Sequence, residues 1–173
     1  TQNPSNFLRE MRSIQDQYSE CLSDPRSALA KESCIILVGL AQIFGSQLDT
    51  HSQWLISSIL PKTGHGTFVI AKPAEMAVVK YVQYVQGKHI KNILLTNADN
   101  ASQGVKVTVV RAMIVAKKFW SSSLSKEFDE ILKKKVKNEK YKEVRDAAAA
   151  GIERIRYINP NDPPSTVKKS KIP

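Results

Sequence analysis

The chain has 173 residues, and 26 Lys plus Arg against 16 Asp plus Glu leave a formal net charge of +10, a basic polypeptide of one-domain size. Apolar residues make up 42% and charged residues 24%, ordinary globular usage that excludes wholesale disorder; seven glycines and two cysteines exclude collagen-like, low-complexity and disulfide-scaffold classes. The longest apolar run, Cys34 to Ala41, is less than half of the roughly 20 residues that cross a bilayer, so no transmembrane helix is expected.

The start, Thr1 to Asn6, has neither an initiator Met nor a basic-then-apolar signal, and reads as the cut end of a longer cytosolic protein. In such a chain Cys21 and Cys34 read as two reduced thiols. Phe7, Met11, Ile14, Tyr18 and Leu22 recur at four and three, one stripe of a single amphipathic helix. Asp24 then offers a cap and Pro25 a first helical position for a second helix that runs from Ala28 to Phe44, where Gly45 supplies a left-handed stop. Thr50 caps a short third helix through Trp54, Leu55 and Ile59, which Pro61 ends.

After the turn Lys62 to Gly66, the Val-rich stretch Phe68 to Val85 lacks any period of two and predicts a helix with Pro73 in its first turn. Gly87 ends it, Ile90 to Leu95 forms a short partner helix, and Thr96 to Gly104 is a polar linker. Val105 to Trp120, Leu124 to Val136 and Val144 to Ile158 are the remaining helices. Residues 159–173 read as a Pro-rich basic tail or linker, so the helical array is expected over 5–158.

The longer helices share an opening in which a basic residue precedes an apolar stretch: Lys31, Lys72, Arg111 and Arg145, at intervals of 41, 39 and 34 residues. Helix pairs at such a period mark helical solenoids such as HEAT repeats, in which each pair buries one face on the next. A four-helix bundle is the rival, but eight helices of uneven length fit a stack better. The expected fold is therefore an all-α solenoid of about five HEAT-like antiparallel helix pairs.

No enzyme chemistry is legible. Lys62 and Thr63 precede Gly64, whereas a phosphate-binding loop needs its glycines before the Lys. His51, His65 and His89 lie far apart, neither cysteine has a ligand at metal spacing, and Glu10, Glu20, Glu127, Glu130 and Glu139 fall on exposed-looking faces. A non-enzyme without metal or cofactor is expected. The positive charge gathers at Lys117, Lys118, Lys133 to Lys135, Lys137, Lys140 and Lys142, and in the tail at Lys168, Lys169 and Lys171. A run on a helix is often only a wet face. Lys88, His89 and Lys91 differ, because turns inside successive pairs align along one edge of a solenoid and present a continuous surface to an acidic partner.

The run DPRSALAKESCIIL from Asp24 to Leu37, followed by Phe44, Gly45, Leu48 and Asp49, resembles the second helix pair of the tubulin-binding TOG domains of the CLASP family, to which TOG arrays of ciliary proteins are closely related. The stretch KHIKNIL from Lys88 to Leu94 falls where that family has a basic turn leading into a short helix, and Val110-Arg111 and Val144-Arg145 fall where its following repeats open. The likeness covers Phe7 to Ile158. It implies a paddle of six helix pairs, a microtubule-associated module that regulates microtubule dynamics in the cytoplasm, at spindle or cilium, and intra-repeat turns that contact tubulin. Carried onto this chain, those turns hold Gly45, Ser46 and Gln47, then Lys88, His89 and Lys91, then Ser121 and Ser122, then Arg156 and Asn159, with the basic residues supplying most of the energy. The family's first turn, with its aromatic residue, would precede Phe7, and Pro160, Pro163 and Pro164 interrupt its last helix, so the array is expected to be truncated or divergent at both ends. The competing readings are a HEAT scaffold that docks a different protein and, ranked behind it, nucleic-acid binding through the Lys117 to Lys142 face. From Lys126 to Lys142 only Phe128 and Tyr141 fall among the lysines as stacking platforms.

Overall fold

The structure, a computed structural model, describes residues 4–157. In chain order the helices are α1 (Pro4–Glu10), α2 (Gln15–Ser23), α3 (Ser27–Phe44), α4 (Ser52–Ile59), α5 (Phe68–Tyr84), α6 (Lys88–Asn97), α7 (Gln103–Phe119), α8 (Ser122–Ser125), α9 (Glu127–Asn138) and α10 (Lys142–Tyr157). Two 3-10 segments, Gly45–His51 and Leu60–Gly64, flank α4, and no strand occurs among the described residues. Helices α3, α5, α7 and α10 pack side by side as one layer, while α2, α4, α6 and α8 follow one another in the second, with α9 against α10. This is the expected all-α solenoid of antiparallel pairs. Across the layers α2 packs on α3, α4 on α5, α6 on α7, and α9 on α10.

The core runs unbroken through the pairs. Leu37 and Ala41 of α3, Leu55 and Ile56 of α4, Val78 and Val82 of α5, Ile90 and Leu94 of α6, Val109 and Met113 of α7, and Leu132 of α9 have no exposed surface. Each faces inward at a helical period, and full burial of such a side chain contributes roughly 1.5–3 kcal/mol. Polar groups that enter the core carry their partners with them. Tyr81 Oη lies 2.9 Å from Ser52 Oγ and donates to the Leu48 carbonyl at 3.2 Å, and the Trp120 indole N–H donates to the Val82 carbonyl at 2.7 Å. Among the described residues no buried side-chain polar atom lacks a partner.

Several expectations are corrected. The first helix is two, and its stripe holds only in part: Met11 and Leu22 are buried and Tyr18 half-buried, but Phe7 and Ile14 are exposed, and the chain turns between Glu10 and Gln15, where Ser13 Oγ donates to the Glu10 carbonyl at 2.7 Å. Asp24 and Pro25 lie outside α3. The Asp24 carboxylate accepts the Arg26 backbone N–H at 2.7 Å and its guanidinium at 2.8 Å, closing a local turn, and α3 begins at Ser27. Arg26 holds the Asp24 carboxyl at about 2, below the usual carboxylate range. Pro61 sits inside a 3-10 segment, and Pro73 lies in the second turn of α5. The four repeated basic residues do not share one register, since Lys31 and Lys72 are fifth in their helices, Arg145 fourth and Arg111 ninth. Arg111 and Lys72 nevertheless meet on the carboxylate of Glu75.

The membrane expectation also changes. Helical turns continue from Ala28 to Gly64, and by length and composition this stretch is apolar enough to cross a bilayer. Gly45 reverses its direction, and α3 packs along α5 as a helix of the array. Cys21 is half-buried and Cys34 buried, both as free thiols, and burial raises the Cys34 thiol to about 11.

Candidate functional site

The turns that follow α3, α5 and α7 form one edge. At the first, Gly45 has φ of +52°, the one φ in the left-handed range among the described residues, so the end of α3 turns where a side chain would be strained. The next residue, Ser46, accepts the Gln86 backbone N–H on its Oγ at 3.2 Å, and Gln86 Oε1 accepts the Ser121 N–H at 3.4 Å. Two side-chain bonds thus join the turns of three successive repeats. Gln47 and Ser122 are exposed beside them, and the Ser121 carbonyl takes the Ser125 hydroxyl at 3.1 Å in the first turn of α8.

The second turn is built by a residue from the first. Asp49 accepts the backbone N–H groups of His89 at 3.1 Å and Ile90 at 3.0 Å, and its Oδ2 lies 2.8 Å from His89 Nδ1. A carboxylate forty residues upstream therefore caps α6 and neutralises the positive end of its helix dipole. Gly87 makes the approach possible: a Cβ there would stand 2.1 Å from the Asp49 carboxyl carbon.

This geometry divides the basic triad. His89 is committed to Asp49, and Lys91 reaches across to Glu127 at 2.6 Å with its side chain only 15% exposed. Lys91 is thus a strut between repeats, contrary to the expectation of a charge on offer. Lys88 is exposed and has no ion-pair partner among the described residues. Arg156 belongs to the last turn of α10, but its side chain, and all of Asn159, lie outside the described residues, as does the expected tail.

Two apolar side chains near this edge were not anticipated. Ile43, two residues before Gly45, is 76% exposed, and Phe119, two before Ser121, is 45% exposed with Lys118 Nζ over its ring at 5.3 Å. Sequence could have singled out Phe119, because the inward stripe of α7 passes through Ala112, Met113, Ala116 and Trp120 and leaves it outside.

The lysine face between Lys117 and Lys142 is less available than its composition suggests. Lys117 pairs with Asp129 at 2.8 Å, and Lys135 is buried between Asp99 at 2.6 Å and Glu139 at 2.9 Å. Lys106 joins Glu139 at 3.3 Å. Burial alone would raise the Glu139 carboxyl, but hydrogen bonds from Lys135, the Tyr141 N–H and Lys106 outweigh it and hold the group at about 2. Phe128 is fully buried, and the Tyr141 ring already carries Lys106 and Lys140, at 5.0 and 4.8 Å. Neither of these two aromatics is free to stack on a base, which leaves Phe119 as the exposed ring of this face.

No group of three or more His, Cys, Asp or Glu side chains suited to a metal ion occurs among the described residues. Compared with known proteins, the chain matches no family model and no curated sequence.

Proposed function

We propose that the chain is a non-enzymatic, microtubule-associated module that binds tubulin through the edge holding Ser46, Gln47, Lys88, His89, Ser121 and Ser122. The observation that carries the reading is the stitching of three successive turns, Ser46 to Gln86 to Ser121, into one polar surface with an unpaired, exposed lysine in it. Residues like those of the CLASP-family TOG domains supply these turns. Acidic tubulin would be steered by the net charge of +10 and oriented by Lys88, while Ile43 and Phe119 offer apolar contact close by. Work at microtubules in the cytoplasm, spindle or cilium follows from the same reading.

Co-sedimentation with microtubules, together with size exclusion alongside soluble tubulin at low salt, tests it. A complex in either experiment supports the proposal, and its absence from both rejects it. A scaffold that docks a non-tubulin protein through this edge is the second reading, favoured by the shortage of free charge once His89 and Lys91 are paired. Nucleic acid is less supported, because Lys117 and Lys135 are spent inside the fold.

A further inference from the structure

Helix α3 is apolar on two sides, and only one is covered. Its inward side carries Ala30, Cys34, Leu37 and Ala41, all buried, while Ile35, Ile36 and Ile43 point outward at 56%, 52% and 76% exposure. Of the most apolar window in the stretch containing α3, only 28% is buried. Opposite, on α5, Met76 is 55% exposed. Between the two helices runs an open groove of about 490 Å³, lined by Ile35, Gly39, Pro73 and Met76, with Lys31 and Lys80 among its lining residues. Surfaces of this kind on a folded chain mark sites of association.

Gly39 gives the groove its meaning. Glycine weakens a helix interior relative to alanine, so its presence in mid-helix asks for a reason. Inside the protein there is none: a Cβ at Gly39 would meet nothing within 4 Å, whereas at Gly104 it would stand 2.5 Å from the Thr63 carbonyl oxygen and at Gly151 2.1 Å from Ile114. The missing side chain leaves room only for something outside the fold.

We propose that this groove receives an amphipathic helix of a partner protein, its apolar stripe laid between α3 and α5 and its flanks bearing carboxylates. From Lys31 to Gln42 the α3 wall of the groove runs about 16 Å, three turns, which suits anchors at i, i+4 and i+7 of a docked helix. The charge comes from the lysines. Lys31 has no ion-pair partner among the described residues, and Lys80 Nζ meets only the neutral Gln83 Oε1, at 3.1 Å. Glu32 is the one carboxylate on α3. A second copy laid on the same face would set these lysines against each other, and residues 158–173, with three lysines and one aspartate, carry the same sign. The groove is separate from Lys88, so the proposal stands or falls apart from tubulin binding.

The test pans the whole chain against a displayed library of helix-forming peptides about five turns long, with a fixed apolar stripe and randomised flanks. Enriched peptides are expected to carry Asp and Glu on the flanks, and to lose about tenfold or more in affinity for Gly39→Trp and for Lys31→Glu with Lys80→Glu, while thermal melts hold. If Gly39→Trp lowers the melt, Met76→Glu makes the same comparison. Absence of enrichment, neutral or basic flanks, or undiminished binding to the groove variants would overturn the proposal. So would flotation of the chain with phosphatidylserine vesicles, or a dimer in sedimentation, that Ile36→Glu abolishes while no peptide binds, since the face would then belong to a membrane or to a second copy.

Discussion

Removing the Asp49 carboxylate perturbs the cross-repeat cap on which the turn edge is built. Asp49→Ala strips two backbone N–H groups at the start of α6 of their acceptor and leaves His89 without a partner. Loss of an N-cap costs about 0.5–2 kcal/mol, and the upper half of that range applies because the bonds are charge-assisted. The Asp49 side chain is also only 13% exposed, so water replaces it incompletely. For a domain of this size about 1.5–2 kcal/mol corresponds to a fall of roughly 3–8 °C in melting temperature. Gly87→Ala should act through the same carboxylate, because its Cβ would stand 2.1 Å from the Asp49 carboxyl carbon and push it off the helix. The double variant should then cost little more than either single one, a coupling of about 1 kcal/mol or more. Thermal and urea unfolding followed by circular dichroism on the four proteins measures the cycle, and hydrogen exchange at the His89 and Ile90 amides localises it. Strict additivity, or a loss below about 1 °C for Asp49→Ala, would refute the reasoning.

Neighbouring lysines should behave oppositely. Lys135→Ala leaves the buried Glu139 short of a partner and should cost about 3 kcal/mol, whereas Lys133→Ala, on an exposed position, should stay within about 0.5 kcal/mol in urea unfolding. Gly39→Ala should raise stability by about 0.5–1 kcal/mol in the same assay, since the methyl group enters open space. His51 is buried with Nε2 3.0 Å from the Leu8 carbonyl; burial, helped by Arg12, lowers its pKa although that carbonyl opposes the shift. A base held neutral in the fold takes up its proton more readily when unfolded, so its contribution is complete above about pH 6.5 and declines as the pH falls below that. Urea stability at pH 5.5 should therefore lie below that at 7.5, and His51→Gln should narrow the gap. The low position of Glu139 acts in a separate window, with stability lost as pH falls from about 4.5 toward 2.

The helices of the α3, α5, α7 and α10 layer were legible because each carries an inward stripe at helical period and ends at a recognisable stop such as Gly45 or Gly87. The break between α1 and α2 was not, since the stripe through Met11 and Leu22 continues across it and only the Ser13 bond to the Glu10 carbonyl records the turn. Position along the edge was legible for Lys88 from the turn between two helices, and for Ser46 and Ser121 only through the resemblance to TOG domains. What each residue does there was not: Asp49 caps a helix forty residues away, and Lys91 and Lys135 spend their charge on carboxylates of other segments. Such pairings depend on which turns the solenoid brings together, and local patterns carry no trace of them. The open face of α3 was not legible either, because Ile35, Ile36 and Ile43 carry no local mark of which side the array leaves uncovered.

The central claim, that the turn edge carries the binding, is tested most directly by size exclusion with soluble tubulin at low and near-physiological salt, comparing Lys88→Glu with the double variant Lys133→Glu, Lys134→Glu. Lys88→Glu should lose the complex at both salts without changing the melt. The double variant should weaken it only at low salt, because its charges act at a distance and are screened beyond roughly 8 Å. A complex that survives Lys88→Glu, or one that the Lys133 and Lys134 reversal damages more at both salts, would contradict the account and place the function on the lateral face.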